Sequence, residues 1–415
     1  MHVSSPENLF PGYMNQVPGR RLIYLLTCID MLPSVFAGIA THLKPMISTI
    51  QKYLIKYLLL FAIALSFVLF CGYLVWGTES HELLLGPSNY DLPSQPSSRD
   101  AKFRVSTASN APQFAIPIDC TLGEDCFIMH YVDRDPSPAA VDFACGRQTY
   151  DTHKGTDFAI SDLQIMNQGV AVQAAAAGRV LRVRDGVSDR LVQTDADKAA
   201  VEDIKCGNGV VIDHGNNWET QYCHLRNGSI VVEAGTEVEK GGVLGMVGAS
   251  GLASFPHVHL SILYEGEVVD PFVGLNANSV CNVTRHSLWE EPLDYVPTGT
   301  IRAGFSTEPP TFHQLWEGEF YDRQLPQDMP AILFWVHAFG TLKGDVVHFK
   351  LTAPNGEAIA DNEQILDTSN RSWMGYVGKR NTRDRPILPG VWRGHYQLTR
   401  GDRLLIDLSR DIEVL

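Results

Sequence analysis

Three separated segments carry histidine and acidic side chains whose types suit metal-assisted hydrolysis. The first holds His153 and Asp157 in an HxxxD arrangement, the second places His224 after Tyr-Cys, and the third contains His257 and His259 in a Pro-His-Val-His run. Catalytic zinc sites combine imidazole and carboxylate ligands and leave one position open. Imidazole also titrates near neutrality and can carry protons. The three segments therefore predict a hydrolytic metal centre if the fold brings them together.

Each motif is a weak signal when taken alone. His257 and His259 are two residues apart, and side chains at i and i+2 of a β-strand point to the same face. An HxH pair can nevertheless be a polar surface feature, and an HxxxD pair on a turn can be hydrogen-bonded without catalytic meaning. The signal lies in the combination of the three segments.

Together the segments resemble the lysostaphin and LytM family of zinc endopeptidases, whose members carry HxxxD, a YxHL-type histidine and PHxH in this order. The resemblance covers roughly residues 145 to 275 and includes the glycine-rich run at 243–248 and the Val-Asp-Pro sequence at 269–271. Thr152 stands where the family often has glycine, and Leu260-Ser261 follow the HxH motif where Phe-Glu is common. Neither departure removes a histidine or a carboxylate.

The resemblance implies a role for each of the five polar residues. His153, Asp157 and His259 would hold one Zn2+, with the fourth position open for water. His224 and His257 would face the metal without binding it and act as catalytic residues, one as general base and the other as acid or oxyanion stabiliser. Which histidine takes which task is left open.

The implied activity is that of a zinc-dependent endopeptidase that cleaves peptide cross-links of bacterial peptidoglycan during cell-wall remodelling. The alternative is a non-catalytic LytM-type module that binds the wall or activates another wall hydrolase, and a third possibility is a structural envelope protein. The presence of all five polar residues favours catalysis. The bond that is cut, a glycine bridge or a D-alanyl cross-link, stays open, with a D-alanyl to diaminopimelate bond as the hypothesis for a Gram-negative periplasm.

The elements that must position these residues are predicted to be β-strands. Residues 116–287 contain short runs of Val, Ile and Ala broken by Gly, with almost no helical period, and this pattern predicts an antiparallel β-sheet domain. The resemblance implies that this domain is the LytM-like zinc peptidase domain. Asp213–Asn217 fits a hairpin loop between two strands. His214 in that loop is assigned a loop or capping role, and Tyr222 is assigned to the core.

Residues 298–415 alternate as further strands separated by turn signals such as Pro-Asn-Gly at 354–356, which predicts a small β-sandwich accessory domain. The segment has no cluster of titratable residues, so its expected role is binding or positioning, including contact with a regulatory protein partner. The predicted fold class of the whole chain is all-β, preceded by one transmembrane helix.

Residues 57–76 are 20 consecutive residues without a charge, a length that matches a hydrocarbon core of about 30 Å. Lys52 and Lys56 precede this stretch and Glu79 and Glu82 follow it, so the positive-inside tendency predicts a signal anchor with a cytoplasmic segment at 1–56. The alternative is a cleaved signal peptide that starts at Met46. Residues 77–115 are rich in Ser, Pro and Asn and are predicted to be a flexible linker. The expected location is the bacterial inner membrane, single-pass, with the catalytic domain in the periplasm.

The charge distribution argues against nucleic acid as a partner. The formal charge of −14 divides into +3 for residues 1–77, which hold five basic and two acidic residues, and −17 for the remainder. An acidic surface repels polyphosphate. The expected partners are a peptidoglycan peptide, which is the substrate, and the membrane.

Six of the eight cysteines follow the predicted membrane helix, and an even number in an oxidising compartment predicts disulfide bonds. Six cysteines permit 15 pairings. Cys120 and Cys126 are close enough in sequence to close a small loop, and Cys206 and Cys223 flank the predicted hairpin. A zinc-binding cysteine cluster is disfavoured because the chain has no C-x2-C pair.

Overall fold

The structure is a computed structural model that describes residues 2–3, 111–275, 280–282 and 284–415. The described residues belong to one compact unit. The predicted membrane helix at 57–76 lies outside the described residues, as do the cytoplasmic segment beyond residue 3 and the linker up to residue 110. Within the described ranges, no helix has the length and apolar character that crossing a membrane requires.

The first part of the described chain is built mainly from strands. The two-residue strand β1 (His2–Val3) comes first in the chain and belongs to a sheet of the second part. The elements of the first part are β2 (Cys126–His130), β3 (Thr156–Ile160), α1 (Leu163–Gln168), β4 (Ala171–Gln173), β5 (Gly178–Arg184), α2 (Asp195–Ala200), a 3-10 turn (Glu202–Ile204), β6 (Asn208–Asp213), β7 (Trp218–Leu225), β8 (Glu237–Val238), β9 (Val243–Met246), β10 (His257–Tyr264) and β11 (Glu267–Val269).

These strands form one large sheet in the order β2-β3-β10-β7-β6-β5-β8, with β11 beside β10, and a small sheet of β4 and β9. Every pairing is antiparallel, which confirms the predicted antiparallel architecture. Strands β6 and β7 pair across the loop at residues 214–217, so the predicted hairpin is also confirmed. The central position of β10 brings its residues next to both β3 and β7.

The alternation of side chains along β10 separates the core from the candidate site. Val258 and Leu260 point into the main hydrophobic core and are at most 1% exposed, whereas His257 and His259 occupy the opposite face. On β3, Phe158 lies in the same core while Asp157 points to the histidine face. On both strands the apolar residues therefore alternate with the polar ones: the apolar side chains pack in the core, and the polar side chains face the candidate site.

Three disulfide bonds connect the six cysteines: Cys120–Cys126, Cys145–Cys281 and Cys206–Cys223. The first and third are the short-range pairs that the sequence spacing favours. The second joins residues 136 positions apart and ties the segment before β3 to the segment after β11.

The second part of the described chain is a sandwich of two sheets. Its elements are β12 (Gly299–Ser306), α3 (Phe312–Glu317), β13 (Gln324–Leu325), β14 (Ala331–Thr341), β15 (Val346–Thr352), β16 (Ala358–Ile365), β17 (Asn370–Arg380), β18 (Gly390–Arg400) and β19 (Arg403–Val414).

One sheet of the sandwich has the order β1-β17-β14-β12 and the other β13-β19-β18-β15-β16. Only the short β13 pairs in parallel among these described strands. The inner faces share an aromatic core, in which Phe349 contacts Phe334 and Trp373 of the facing sheet. The mostly β, antiparallel character expected from the sequence is confirmed, while the predicted domain limits stay predictions.

The sandwich packs directly against the first part of the chain. Phe127 of β2 stacks on Phe339 of β14 with ring centroids 5.1 Å apart. Arg302 of β12 forms an ion pair with the buried carboxylate of Asp162 at 2.8 Å. Apolar stacking and a buried ion pair therefore hold the two parts together.

Candidate metal centre

Three side chains from two neighbouring strands and the turn before them converge on one point. His259 on β10 lies opposite Asp157 on β3 in the strand register, and His153 lies four residues before Asp157. The separations are 2.8 Å between His259 Nδ1 and Asp157 Oδ1, 3.1 Å between His153 Nε2 and Asp157 Oδ1, and 3.1 Å between the two histidine nitrogens. One candidate ligand atom from each residue thus faces the same small volume.

This arrangement fits a zinc ion. Zinc bonds of about 2.0–2.1 Å in a tetrahedron separate neighbouring ligand atoms by about 3.3 Å, close to the separations found here. Two imidazole nitrogens and one carboxylate oxygen form a donor set that catalytic zinc sites use. The set suits a metal, as the sequence predicts.

The orientation of both candidate histidine ligands is fixed by their second ring nitrogens. His153 Nδ1 donates a hydrogen bond to the backbone oxygen of Tyr131 at 2.6 Å, which leaves the Nε2 lone pair for a metal. His259 Nε2 is hydrogen-bonded to Ser261 Oγ at 3.0 Å, which holds the ring with Nδ1 facing Asp157 Oδ1. Such partners hold metal-binding histidines in one tautomer and one ring orientation.

Gly155 leaves the space that His259 needs. A Cβ atom at this position would lie 2.6 Å from both His259 Nε2 and the backbone oxygen of Leu260. Between His153 and Asp157 the chain therefore passes too close to β10 for any side chain. This close approach explains a glycine within the HxxxD segment.

Asp157 is almost fully buried at 1% exposure. Burial opposes its charged form, but the facing His153 and His257 and the hydrogen bonds that it accepts outweigh burial and hold the pKa of Asp157 well below its usual range. Asp157 also raises the pKa of His153, against the opposing effect of burial. The carboxylate is thus ionised at neutral pH and available as a metal ligand.

His130 is a site residue that sequence reasoning missed. Its Nδ1 lies 2.9 Å from the second carboxylate oxygen of Asp157, and the ring is buried. A register shift between Ile128 and His130 in the β2–β3 pairing places His130 opposite Asp157. The segment Cys126–His130 resembles an ordinary buried strand, so no local signal marks this histidine; only strand pairing brings it to the site.

His224 and His257 lie beside the three candidate ligands, with ring centroids 4.6 Å apart. Nδ1 of His224 donates to the backbone oxygen of Ser250 and Nδ1 of His257 to that of Phe255, each at 2.8 Å. Both Nε2 atoms are therefore unprotonated in the neutral rings, and His257 Nε2 lies 3.6 Å from Asp157 Oδ1. Burial lowers the pKa of His257 to about 4 and that of His224 well below its usual range.

The backbone of His224 adopts a left-handed conformation with φ of 65°. This conformation is unfavourable for a residue with a side chain and persists only where the surroundings enforce it. His224 N donates to the backbone oxygen of Cys206 at 2.8 Å, and the neighbouring Cys223 is covalently bonded to Cys206. The disulfide and the hydrogen bond together hold His224 at the end of β7.

Aromatic rings form the walls of the site. The ring of Tyr150 lies 4.4 Å from that of His153 and is 41% exposed, which makes Tyr150 part of the accessible rim. Phe255 lies 4.4 Å from His257 on the other side. Trp316 of α3 stacks on Phe255 at 5.5 Å, so the sandwich contributes to the packing behind the site.

Two further residues that the sequence singled out lie away from the centre. His214 binds the backbone oxygen of Ala177 and the hydroxyl of Thr220, each at 2.8 Å. Tyr222 is fully buried, and its hydroxyl accepts a hydrogen bond from Ala175 N. The structure brings together the five site residues that the sequence predicts. It places His214 in a hydrogen-bonded loop and Tyr222 in the core, outside the centre.

Comparison with known proteins confirms the resemblance that the motifs indicated, since residues 151–271 match Peptidase family M23. The chain is 31% identical over 118 residues to the peptidoglycan DD-endopeptidase ShyA of Vibrio cholerae serotype O1, covering 28% of this chain and 22% of that protein. It is 40% identical over 65 residues to the DD-carboxypeptidase/endopeptidase Mpg of Neisseria meningitidis serogroup B, covering 16% of this chain and 14% of that protein.

A solved structure of a zinc-containing peptidase from Vibrio cholerae is 25% identical, covers 39% of each chain and superposes with a TM-score of 0.27. The chain spans about a fifth of the length of the curated relatives ShyA and an uncharacterized metalloprotease of Haemophilus influenzae.

Proposed function

We propose that this protein is a zinc-dependent endopeptidase that cleaves peptide cross-links of bacterial peptidoglycan. The observation that carries the proposal is the convergence of His153 Nε2, Asp157 Oδ1 and His259 Nδ1 within 3.1 Å of one another. The match to Peptidase family M23 and the names of two relatives, a peptidoglycan DD-endopeptidase and a DD-carboxypeptidase/endopeptidase, support the substrate class.

The side chains around the candidate metal ligands suit proton transfer. A zinc ion at this centre would supply Lewis-acid polarisation of the scissile carbonyl. His224 and His257 each keep an unprotonated Nε2 because Nδ1 donates to a backbone oxygen. One of these nitrogens can accept the proton of the attacking water, and the other, when protonated, can stabilise the oxyanion or donate to the leaving amine.

We further propose an extracytoplasmic location, with the 57–76 segment as an anchor in the inner membrane and the peptidase part in the periplasm. The three disulfide bonds among the described residues support an oxidising compartment. Labelling of the cysteines with a membrane-impermeant reagent after reduction, in intact cells and in spheroplasts, tests this topology. Labelling only after cell lysis would contradict it.

The activity test uses the full-length chain in mild detergent, together with Asp157→Ala and His257→Ala variants. Zinc content is measured by atomic spectroscopy, and cleavage by the loss of cross-linked muropeptides from purified sacculi. We expect near-stoichiometric zinc in the wild type and in His257→Ala, loss of zinc in Asp157→Ala, and cleavage in the wild type alone. Wild-type protein that binds sacculi without zinc and without cleavage would instead favour a non-catalytic wall-binding module.

A further inference from the structure

Two arginines, Arg147 and Arg371, lie close to the segment that leads to His153, and neither forms an ion pair with a residue that the structure describes. Arg371 is the second residue of β17 in the sandwich, and its Nε donates to the backbone oxygen of Thr149 at 2.5 Å. The next residue of the peptidase part is Tyr150, whose ring covers His153. The sandwich thus places a guanidinium directly at the accessible rim of the site.

Arg371 acts electrostatically on the site itself. Burial lowers the pKa of His130, and the positive charge of Arg371 lowers it further. Burial raises the pKa of Tyr150, and the charge of Arg371 opposes that rise. Arg147 is the second cation of the pair, because its charge lowers the pKa of Arg371 in addition to the effect of burial. Arg147 is two residues before Thr149, whose backbone oxygen accepts the hydrogen bond of Arg371, so both guanidinium groups belong to this part of the rim.

The backbone that carries Arg147 is held in place. The carboxylate of Asp142 accepts hydrogen bonds from the backbone nitrogens of Ala144, Gly146 and Gln148 at 2.8–3.1 Å. Arg147 lies between Gly146 and Gln148, whose amides bind the same carboxylate, so its backbone has little conformational freedom. Arg147 is exposed, so its side chain is presented to solvent from a rigid loop.

Among the described residues, no carboxylate forms an ion pair with Arg147 or Arg371, and four of the five N–H donors of Arg371 have no protein partner. Two arginines without an ion pair among the described residues are unexpected in a chain with a formal charge of −14. Two like charges held together at the mouth of a site are stabilised when an anion binds between them, and the planar guanidinium matches a carboxylate in a bidentate manner.

We propose that Arg147 and Arg371 together bind a carboxylate of the peptide substrate at the rim of the metal centre. The inference rests on the proposed function for its substrate class, a wall stem peptide with free carboxylates. It assigns the sandwich a part in substrate recognition, since one of the two arginines comes from β17.

The test measures peptide binding separately from cleavage. The probe is a synthetic stem pentapeptide ending in D-Ala-D-Ala, compared with its C-terminal amide and with a form whose side-chain carboxylates are amidated. Calorimetry with the full-length protein gives the dissociation constants for the wild type, R147Q and R371Q. We expect each variant to weaken binding of the free-carboxylate peptide about 10- to 100-fold and to bind one of the two amidated forms as the wild type does. The amidated peptide that the variants and the wild type bind equally lacks the carboxylate that the two arginines bind, and so identifies it.

Two control variants, R383Q and R371K, and the contacts of Arg147 separate recognition from structure. R383Q removes a positive charge beyond the opposite end of β17 and should bind like the wild type. R147Q breaks no protein hydrogen bond among the described residues, so its effect does not arise from a loosened interface. R371K should recover part of the affinity, because it keeps the charge but not the planar fork.

Unchanged affinities in R147Q and R371Q, or equal binding of all three peptides by the wild type, would overturn the inference while leaving the proposed endopeptidase activity intact. Selective binding of the free carboxylate by a wild-type protein that does not cut sacculi would support the inference and contradict the proposed activity.

Discussion

At the scale of single residues, Asp157 organises the centre because each of its oxygens has a separate task. Oδ1 faces the nitrogens of His153 and His259, and Oδ2 is bonded to His130. A carboxylate held by a hydrogen bond on one oxygen presents the other in a fixed direction. Metal affinity should therefore depend on a residue that does not contact the metal.

We expect His130→Gln to weaken zinc binding about 10- to 100-fold, the usual effect of removing a partner that orients a ligand. Competition with a chelator of known affinity measures the change. His214→Gln is the matched control, since it alters a histidine that binds Ala177 and Thr220 outside the centre. Equal zinc affinities in the wild type and His130→Gln would show that Asp157 is oriented without His130.

A second prediction concerns His337, a fully buried histidine of β14. Burial, with a smaller effect of Arg302, lowers its pKa to about 3, whereas an unfolded histidine titrates near 6.5. The unfolded state therefore binds the proton first as the pH falls, and this residue contributes stability above about pH 6.5 that is lost towards pH 3. We expect His337→Gln, which cannot titrate, to lose less stability than the wild type between pH 7 and 4.5. Denaturant unfolding measures the free energy of unfolding at each pH. Equal losses in the wild type and His337→Gln between pH 7 and 4.5 would contradict this prediction.

At the scale of elements, the end of β7 is held by a covalent bond as well as by hydrogen bonds. The Cys206–Cys223 disulfide adjoins His224, whose left-handed backbone would otherwise relax. Backbone strain of this kind is worth about 1–3 kcal/mol. The disulfide and the hydrogen bond from His224 N to the backbone oxygen of Cys206 both hold His224 at the end of β7.

We expect the Cys206→Ser, Cys223→Ser double variant to cleave sacculi at least about tenfold more slowly than the wild type while retaining its zinc, because His224 is displaced and the metal ligands are not. Muropeptide analysis and zinc content measured on the same samples test this. The control is Cys120→Ser with Cys126→Ser, which opens a small loop. A double variant as active as the wild type would mean that the sheet alone holds His224.

At the scale of the whole molecule, the sandwich and the peptidase part share aromatic packing. Trp316 of α3 stacks on Phe255 and contacts His337 with ring centroids 4.7 Å apart, and Phe255 in turn contacts His257. A single buried ring therefore connects the side of the large sheet that carries the candidate site to the face of β14 that points away from the sandwich core.

We expect Trp316→Ala to destabilise the protein by about 3–5 kcal/mol and to lower the rate of cleavage at temperatures where the protein stays folded. The lost ring leaves Phe255, and through it His257, without support. Trp392→Ala is the matched control, because Trp392 is equally buried but lies within the core of the sandwich. A similar loss of stability with an unchanged cleavage rate in both variants would show that the sandwich does not support His257.

The sequence by itself determined the strand-rich fold, the hairpin at 213–217 and the five polar residues of the site. These features are local or nearly so: side-chain alternation has a period of two, a tight turn needs its own residue types, and each motif spans at most five residues. The two short-range disulfides follow from the same locality, because nearby cysteines can meet without the rest of the fold.

Only the tertiary structure decided which distant residues join the site. His130 reaches Asp157 through strand pairing with a register shift, and Arg371 reaches Thr149 through the packing of the sandwich, across 222 residues of chain. The Cys145–Cys281 bond spans 136 residues in the same way. Such contacts carry no sequence period or spacing, because they depend on how the strands pair and how the sheets pack rather than on the residues beside them.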